Sequence, residues 1–195
     1  MTEKQLILAL IKNDLTVKRK LFDEHFAALS GIALRFSKNE KQAKELLISS
    51  FDNCIEKFVN QKSQSIISFS EFILPNFISE AVEFIKNIRN EYFVASTVNV
   101  RLESDDHNYS LFENNEIIDF NSINKDIILK AIQKLVPSQR LIYNLHVVDG
   151  FSFDKISGIL DTSEQTLKSN FEKARFNFQK NIERIMNESK YEQAF

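Results

Sequence analysis

Between Ser163 and Arg175 the chain carries Gln165, Lys168, Ser169, Lys173 and Arg175, a run of amide, hydroxyl and cationic side chains. A helix turning about 100° per residue puts Gln165, Ser169, Glu172, Lys173 and Phe176 opposite Leu167, with Lys168 and Arg175 on the flank of that face. Amides and hydroxyls meet base edges in a major groove, and Lys and Arg meet bases or phosphates. The exposed N-terminal end of such a helix can also receive a phosphate. Glu164, Glu172 and Glu183 work against the cations, so the face should bind weakly by itself. A solvated face on a structural bundle is the other reading of this pattern. Phe176 stands out on the same side as an exposed aromatic that hints at a protein contact.

The elements that must hold this face are legible around it. Leu167, Phe171, Ala174, Phe178, Ile182 and Ile185 form one apolar stripe of a long helix. Before it, Ser152 to Leu160 is short, with Phe153, Ile156 and Ile159 or Leu160 on its apolar side, and Asp161-Thr162-Ser163 breaks it off. Short helix, tight break and long helix are the sequence form of a helix-turn-helix. Thr162 and Gln165 have capping-box spacing, and Ser163 is the alternative cap. Upstream, helical order starts near Asp126, with Ile128, Ala131, Ile132 and Leu135 in one stripe that Pro137 stops. Ser138 is expected to cap the next helix, through Leu141, Ile142 and Leu145 to Val148, and Asp149-Gly150 to turn the chain.

The N-terminal part is helical too. Phe22, Phe26, Leu29, Ala33 and Phe36 recur at helical steps after a start signal at Asn13-Asp14. A second stripe follows Asn39: Ala43, Leu47, Ser50, Cys54 and Phe58. Gln61 to Ser68 reads as a polar loop, and Phe69 to about Asn90 as a helix whose first turns Pro75 should end or kink unless it sits at an N-terminal position. Three or four packed helices are expected. Residues Tyr92 to Ser122 lack a sustained period and read as a connector. It is acidic, with Glu103, Asp105, Asp106, Glu113, Glu116, Asp119 and Asp126 against Arg101 and Lys125 over 96–126. The predicted fold is therefore all-α: two small helical domains, 1–91 and 125–190, joined by an acidic linker over 92–124.

Composition narrows the function classes. With 43% hydrophobic residues and only 3 Gly and 2 Pro in 195, packed helices are expected rather than disorder. No apolar run approaches the roughly 20 residues that cross a bilayer, which predicts no membrane insertion and no export signal. One cysteine, Cys54, closes no internal disulfide and reads as a half-buried core residue in a reducing cytoplasm. His25, His107 and His146 lie far apart without Cys or carboxylate partners at ligand spacing, so no metal is expected. Gly31, Gly150 and Gly158 never cluster into a phosphate loop, and no nucleophile motif is present. The chain is expected to have no enzymatic activity, cofactor or small-molecule substrate.

The C-terminal part, from Ala131 to Ile182, resembles the promoter-binding domain of extracytoplasmic-function sigma factors. The resemblance runs through Leu135, Pro137, Gln139, Arg140, Gly150, Phe151, Ser152, Ile156, Ser163, Thr166, Leu167, Lys168, Ser169, Ala174 and Arg175, in order. It implies that the second helix contacts the upstream, minus-thirty-five promoter element, and it adds Thr166 and Asn170 to Ser163, Gln165, Lys168, Ser169, Lys173 and Arg175 as DNA-contacting candidates. Family members often carry arginine where Asn170 stands and a second basic residue where Glu172 stands.

The N-terminal part is similar to the family's other domain. Gln42, Ala43, Glu45, Leu46, Ile48 and Phe51 fall in the stretch that meets the clamp helices of polymerase, which makes Gln42, Glu45, Leu46 and Ser49 polymerase-binding candidates. Phe72-Ile73, Ser79, Glu83 and Lys86 fall in the helix that melts and captures the minus-ten element, which makes Phe72, Ser79, Glu83 and Lys86 candidates for that role. The resemblance implies an alternative sigma factor, with core RNA polymerase and promoter DNA as partners and an anti-sigma factor as a further one. Two alternatives stay open: a diverged sigma-like protein that holds polymerase or an anti-sigma factor without reading promoters, and a conventional helix-turn-helix regulator.

Overall fold

The computed structural model describes residues 2–60, 68–96 and 123–192. The predicted loop at 61–67, and the connector at 97–122 with His107, lie outside the described residues. Among the described residues every regular element is helical, as the sequence predicts. Contacts divide the chain into two compact units, Met1–Lys86 and Asn87–Phe195.

The first unit begins with α1 (Glu3–Ile11), a helix the apolar periods did not single out. Its signal is local: Thr2 and Gln5 form a capping box, each side chain bonding the other's backbone amide. Asp14 then caps α2 (Leu15–Phe36) by accepting from the amides of Thr16 and Val17, the start expected at Asn13-Asp14. Asn39 caps α3 (Glu40–Val59) through the amide of Gln42. Lys18 bridges to Asp52 at 2.6 Å, and the Phe22 ring meets Phe51 edge-on at 5.1 Å, tying α2 to α3.

α4 (Phe69–Ser96) differs from expectation at two points. It continues through Pro75, which sits inside the helix rather than ending it, and it runs past Tyr92 into the stretch read as connector. The proline ring removes one amide donor, yet Ile73 and Phe77 on either side are fully buried, and core packing outweighs the lost hydrogen bond. Next to the proline, Asn76 Nδ2 donates to the Phe72 carbonyl at 2.8 Å. Phe58 anchors α3 on α4, with Phe69 and Phe72 at 5.1 and 5.2 Å. Cys54 is fully buried rather than half-buried, and burial, with the Glu80 charge nearby, pushes its thiol up to about 12.

In the second unit, Asn124 caps α5 (Lys125–Gln133) and Pro137 stands at the first position of α6 (Pro137–Tyr143). The cap position belongs to Val136, not Ser138, because a proline at the first turn needs no amide partner and is already set at the helical φ. The helix then widens into a π turn over Asn144–Val148, where the Asp149 amide reaches back to the Asn144 carbonyl. Gly150 takes φ +70°, which makes the turn expected of it. α7 (Phe153–Leu160) and α8 (Glu164–Glu192) complete the unit. Ala131, Ile132, Leu135, Tyr143, Ala174, Phe178, Ile182 and Ile185 close its core, and the Tyr143 and Phe178 rings lie 4.6 Å apart.

Candidate nucleic-acid interface

The break between α7 and α8 is built from three consecutive polar residues. Asp161 ends α7 in the left-handed region at φ +49°, which a short carboxylate side chain tolerates better than a branched one. Thr162 donates its hydroxyl to the Leu160 carbonyl at 3.0 Å and is therefore not the cap. Ser163 is: its Oγ accepts from the Thr166 amide, and the Ser163 and Thr166 hydroxyls bond each other at 2.9 Å. Thr166 is thus occupied at the helix entrance.

Behind the break lies an aromatic wedge. His146 on the π turn stacks on Phe153 of α7 at 4.2 Å and meets Phe171 of α8 edge-on at 4.9 Å. Its Nδ1 donates to the Phe151 carbonyl at 2.8 Å, which fixes the tautomer and the turn together, because a carbonyl can only accept. Ser152 caps α7 at the Lys155 amide. Ile156 and Leu167 fill the interior between α7 and α8, and both are buried. The wedge also supports the cations above it: Lys168 Nζ lies 5.8 Å from the Phe153 ring centre and the Arg175 guanidinium 6.0 Å from that of Phe171.

On the outer side of α8, Gln165, Ser169 and Lys173 are exposed, and Lys173 has no ion-pair partner among the described residues. Lys168 pairs with Glu164 at 3.0 Å and Arg175 with Glu172 at 3.4 Å. Asn170 is half-buried. The sequence shows Glu164 and Glu172 only as opposing charge, although their four- and three-residue spacing is what pairs them with Lys168 and Arg175. Phe176 is half-buried, not exposed, and Lys180 lies over its ring at 4.5 Å.

Deeper in the unit, Arg140 is 4% exposed and donates to the carbonyls of Ile132, Gln133 and Leu135. Burial lowers its pKa to about 10, so it stays charged at neutral pH. The end of α5 supplies the negative end of a helix dipole to that charge.

The N-terminal candidates separate by direction. On α3, Glu45 and Ser49 are exposed one turn apart, Ser49 donating its hydroxyl to the Glu45 carbonyl at 2.9 Å. Leu46 is fully buried, and Gln42 turns inward so that its Oε1 accepts from the Lys38 amide at 2.8 Å. On α4, Ser79 and Glu83 are exposed, Lys86 pairs with Glu83 at 3.0 Å, and Phe72 is 6% exposed against Phe58. Gln42, Leu46 and Phe72 thus position their helices, while Glu45, Ser49, Ser79, Glu83 and Lys86 reach the surface. His25 donates to the Leu21 carbonyl at 2.8 Å and meets Phe69 edge-on. Among the described residues no group of His, Cys, Asp and Glu is placed to hold a metal ion, and no helix is long and apolar enough to cross a membrane.

Comparison with known proteins agrees with this geometry. Residues 125–175, which run from α5 into α8, match the family model described as Sigma-70, region 4. No curated protein sequence matches the chain. Among solved structures, the fold is similar to that of the sigma factor RpoE in its complex with the anti-sigma factor NepR from Bartonella quintana. That similarity has a TM-score of 0.50 at 20% identity and covers 85% of this chain and 96% of that one.

Proposed function

We infer that this chain is an extracytoplasmic-function sigma factor, an alternative initiation factor that brings core RNA polymerase to promoters. The observation that carries the reading is the coincidence of the region 4 match with a helix-turn-helix whose outer face stays open to solvent. In this reading residues 125–190 form a region 4-like domain in which Gln165, Lys168, Ser169, Asn170, Lys173 and Arg175 meet the upstream element. Ser163 and Thr166 set the helix entrance. Residues 1–91 form a region 2-like domain, in which exposed Glu45 and Ser49 lie on the polymerase side and Ser79, Glu83 and Lys86 lie toward the minus-ten element. Residues 92–124 tether the two.

Each face is weakly charged, and a tether lets weak contacts act together by raising effective concentration. The protein works on this view in the cytoplasm, without catalytic chemistry of its own. The resemblance of its fold to a sigma factor captured with an anti-sigma factor makes such an inhibitor a partner to seek. The test is retention of core polymerase by the purified chain, followed by run-off transcription from genomic promoter fragments. Retention together with transcription supports the reading. Transcription no greater than with core polymerase alone rejects it. A second reading, a sigma-like chain that holds polymerase without reading DNA, draws on the Glu164–Lys168 and Glu172–Arg175 pairs, which neutralise two of the cations on the reading face. Retention of polymerase without promoter selection favours it.

A further inference from the structure

In a helix-turn-helix the N-terminal residues of the second helix come nearest the base edges. The first two turns of α8 hold an acid and a base locked together: Glu164 Oε2 and Lys168 Nζ lie 3.0 Å apart, with side chains 45% and 59% exposed. The entrance of the helix is already complemented, since Ser163 caps the Thr166 amide and Glu164 sets a negative charge against the positive end of the dipole. A DNA phosphate arriving there meets a carboxylate and gains little. The phosphate site expected from the sequence at this helix end is therefore filled from within.

A carboxylate pressed into a major groove must find a donor or lose its hydration without return. The donors available there are the exocyclic amines of cytosine and adenine; Glu suits the cytosine amine, while Lys suits the O6 and N7 acceptors of guanine. In a G·C pair the cytosine N4 and guanine O6 are bonded to each other, so they lie about 2.9 Å apart. That spacing matches the 3.0 Å between the Glu164 and Lys168 polar atoms. The two pairs can face each other, the free N4 hydrogen pointing to the carboxylate and the ammonium to O6, without breaking the protein ion pair.

We propose that Glu164 and Lys168 act as one unit that reads a single G·C pair in the upstream element, Glu164 on the cytosine and Lys168 on its guanine. The proposal rests on the sigma-factor reading and adds base identity to it. Glu172 and Arg175, at 3.4 Å and two turns further along, are less favourably spaced for the same match.

The experiment selects duplexes from a pool randomised across the upstream element, using the full chain with core polymerase. The expected result is one position held as G·C by about tenfold over A·T. Glu164→Gln should move that position toward adenine, whose N6 and N7 suit an amide, and Lys168→Gln should release the guanine. Glu172→Gln removes the same charge elsewhere on the helix and should raise overall affinity without moving that position. Helix stability alone does not alter a base preference, so a purely capping role for Glu164 leaves the selected sequence unchanged. That outcome, with selection otherwise intact, overturns the proposal and spares the sigma-factor reading. If the wild-type chain with polymerase selects no sequence, the sigma-factor reading itself falls and takes the proposal with it.

Discussion

Arg140 donates from Nη2 to the carbonyl oxygen of Leu135 at 2.6 Å, at the point where α5 ends and α6 begins. With Gln133 at 2.8 Å and Ile132 at 3.3 Å, the same guanidinium gathers the carbonyls at the end of α5, of which Ile132 also accepts from the Leu135 amide. Asn144 Nδ2 in turn donates to the Arg140 carbonyl at 2.9 Å, so the corner is held by side chains rather than by a glycine cap. Arg140→Met is expected to destabilise the second unit by about 2–4 kcal/mol, since it removes the donors from the buried Leu135 carbonyl and the part-buried Gln133 carbonyl together. Arg140→Lys, with one point donor in place of a fork, should fall between the two. Urea denaturation of the three chains checks the order, and equal midpoints for wild type and Arg140→Met would contradict it.

The ion pairs on α8 predict unequal contributions from chemically similar cations. Lys173→Ala should lower the salt dependence of duplex binding by about one counterion, because this lysine has no ion-pair partner among the described residues. Lys168→Ala should lower it by less, since Glu164 already offsets that charge. Asn170→Arg should raise both affinity and slope. Binding titrations over a range of salt concentrations read all three, and identical slopes for the two lysine variants would refute the assignment.

Phe72 and Ser79 sit on the same helix, yet one is buried and the other exposed. Phe72→Ala should cost about 3–5 kcal/mol through the cavity left beside Phe58. Ser79→Ala should leave stability nearly unchanged, so any loss of open-complex formation in that variant reports on the surface and not on the fold. Thermal melting alongside permanganate footprinting separates the two effects.

Cys54 gives a prediction that depends on pH. Its folded pKa, about 12, lies above the ordinary 9.0, so the neutral thiol is favoured by folding. Above pH 9 the unfolded chain releases this proton while the folded chain keeps it, and stability should fall as pH rises from there toward 12. Burial raises Tyr143 to about 12 as well, which adds a loss of the same sign above pH 10 in the second unit. In the folded chain at pH 8, alkylation of Cys54 should run at least a hundredfold slower than in denaturant. Labelling rates with and without urea measure it, and equal rates would show the thiol to be open.

Much of the second unit was legible because its signals are periodic or local. The stripe from Leu167 to Ile185 and the turn at Gly150 both follow from spacing or from backbone preference. Choices between neighbours were harder. Thr162 and Ser163 have equal claims as caps in sequence, and the Leu160 carbonyl decides by claiming the threonine. Proline misled twice, at Pro75 and before Ser138, because its effect depends on the packing around it. Direction was the least legible property of the candidate surfaces. A motif names Gln42, Leu46 and Phe72, but only the packed helices turn them inward. Arg140 was visible as part of a motif, yet its partners are carbonyls, which no side-chain pattern reveals.

The π turn at Asn144–Val148 bears on how α7 and α8 follow from α6. A turn of this kind spends about one more residue per revolution than an α-helix. His146 and Phe151 hold that turn in place. Removing one residue from this stretch would restore an ordinary winding with little change in the direction of α7, because five residues of π turn and four of α-helix subtend nearly the same angle. One surplus residue is thus taken up between α6 and α7 without turning the helices that follow.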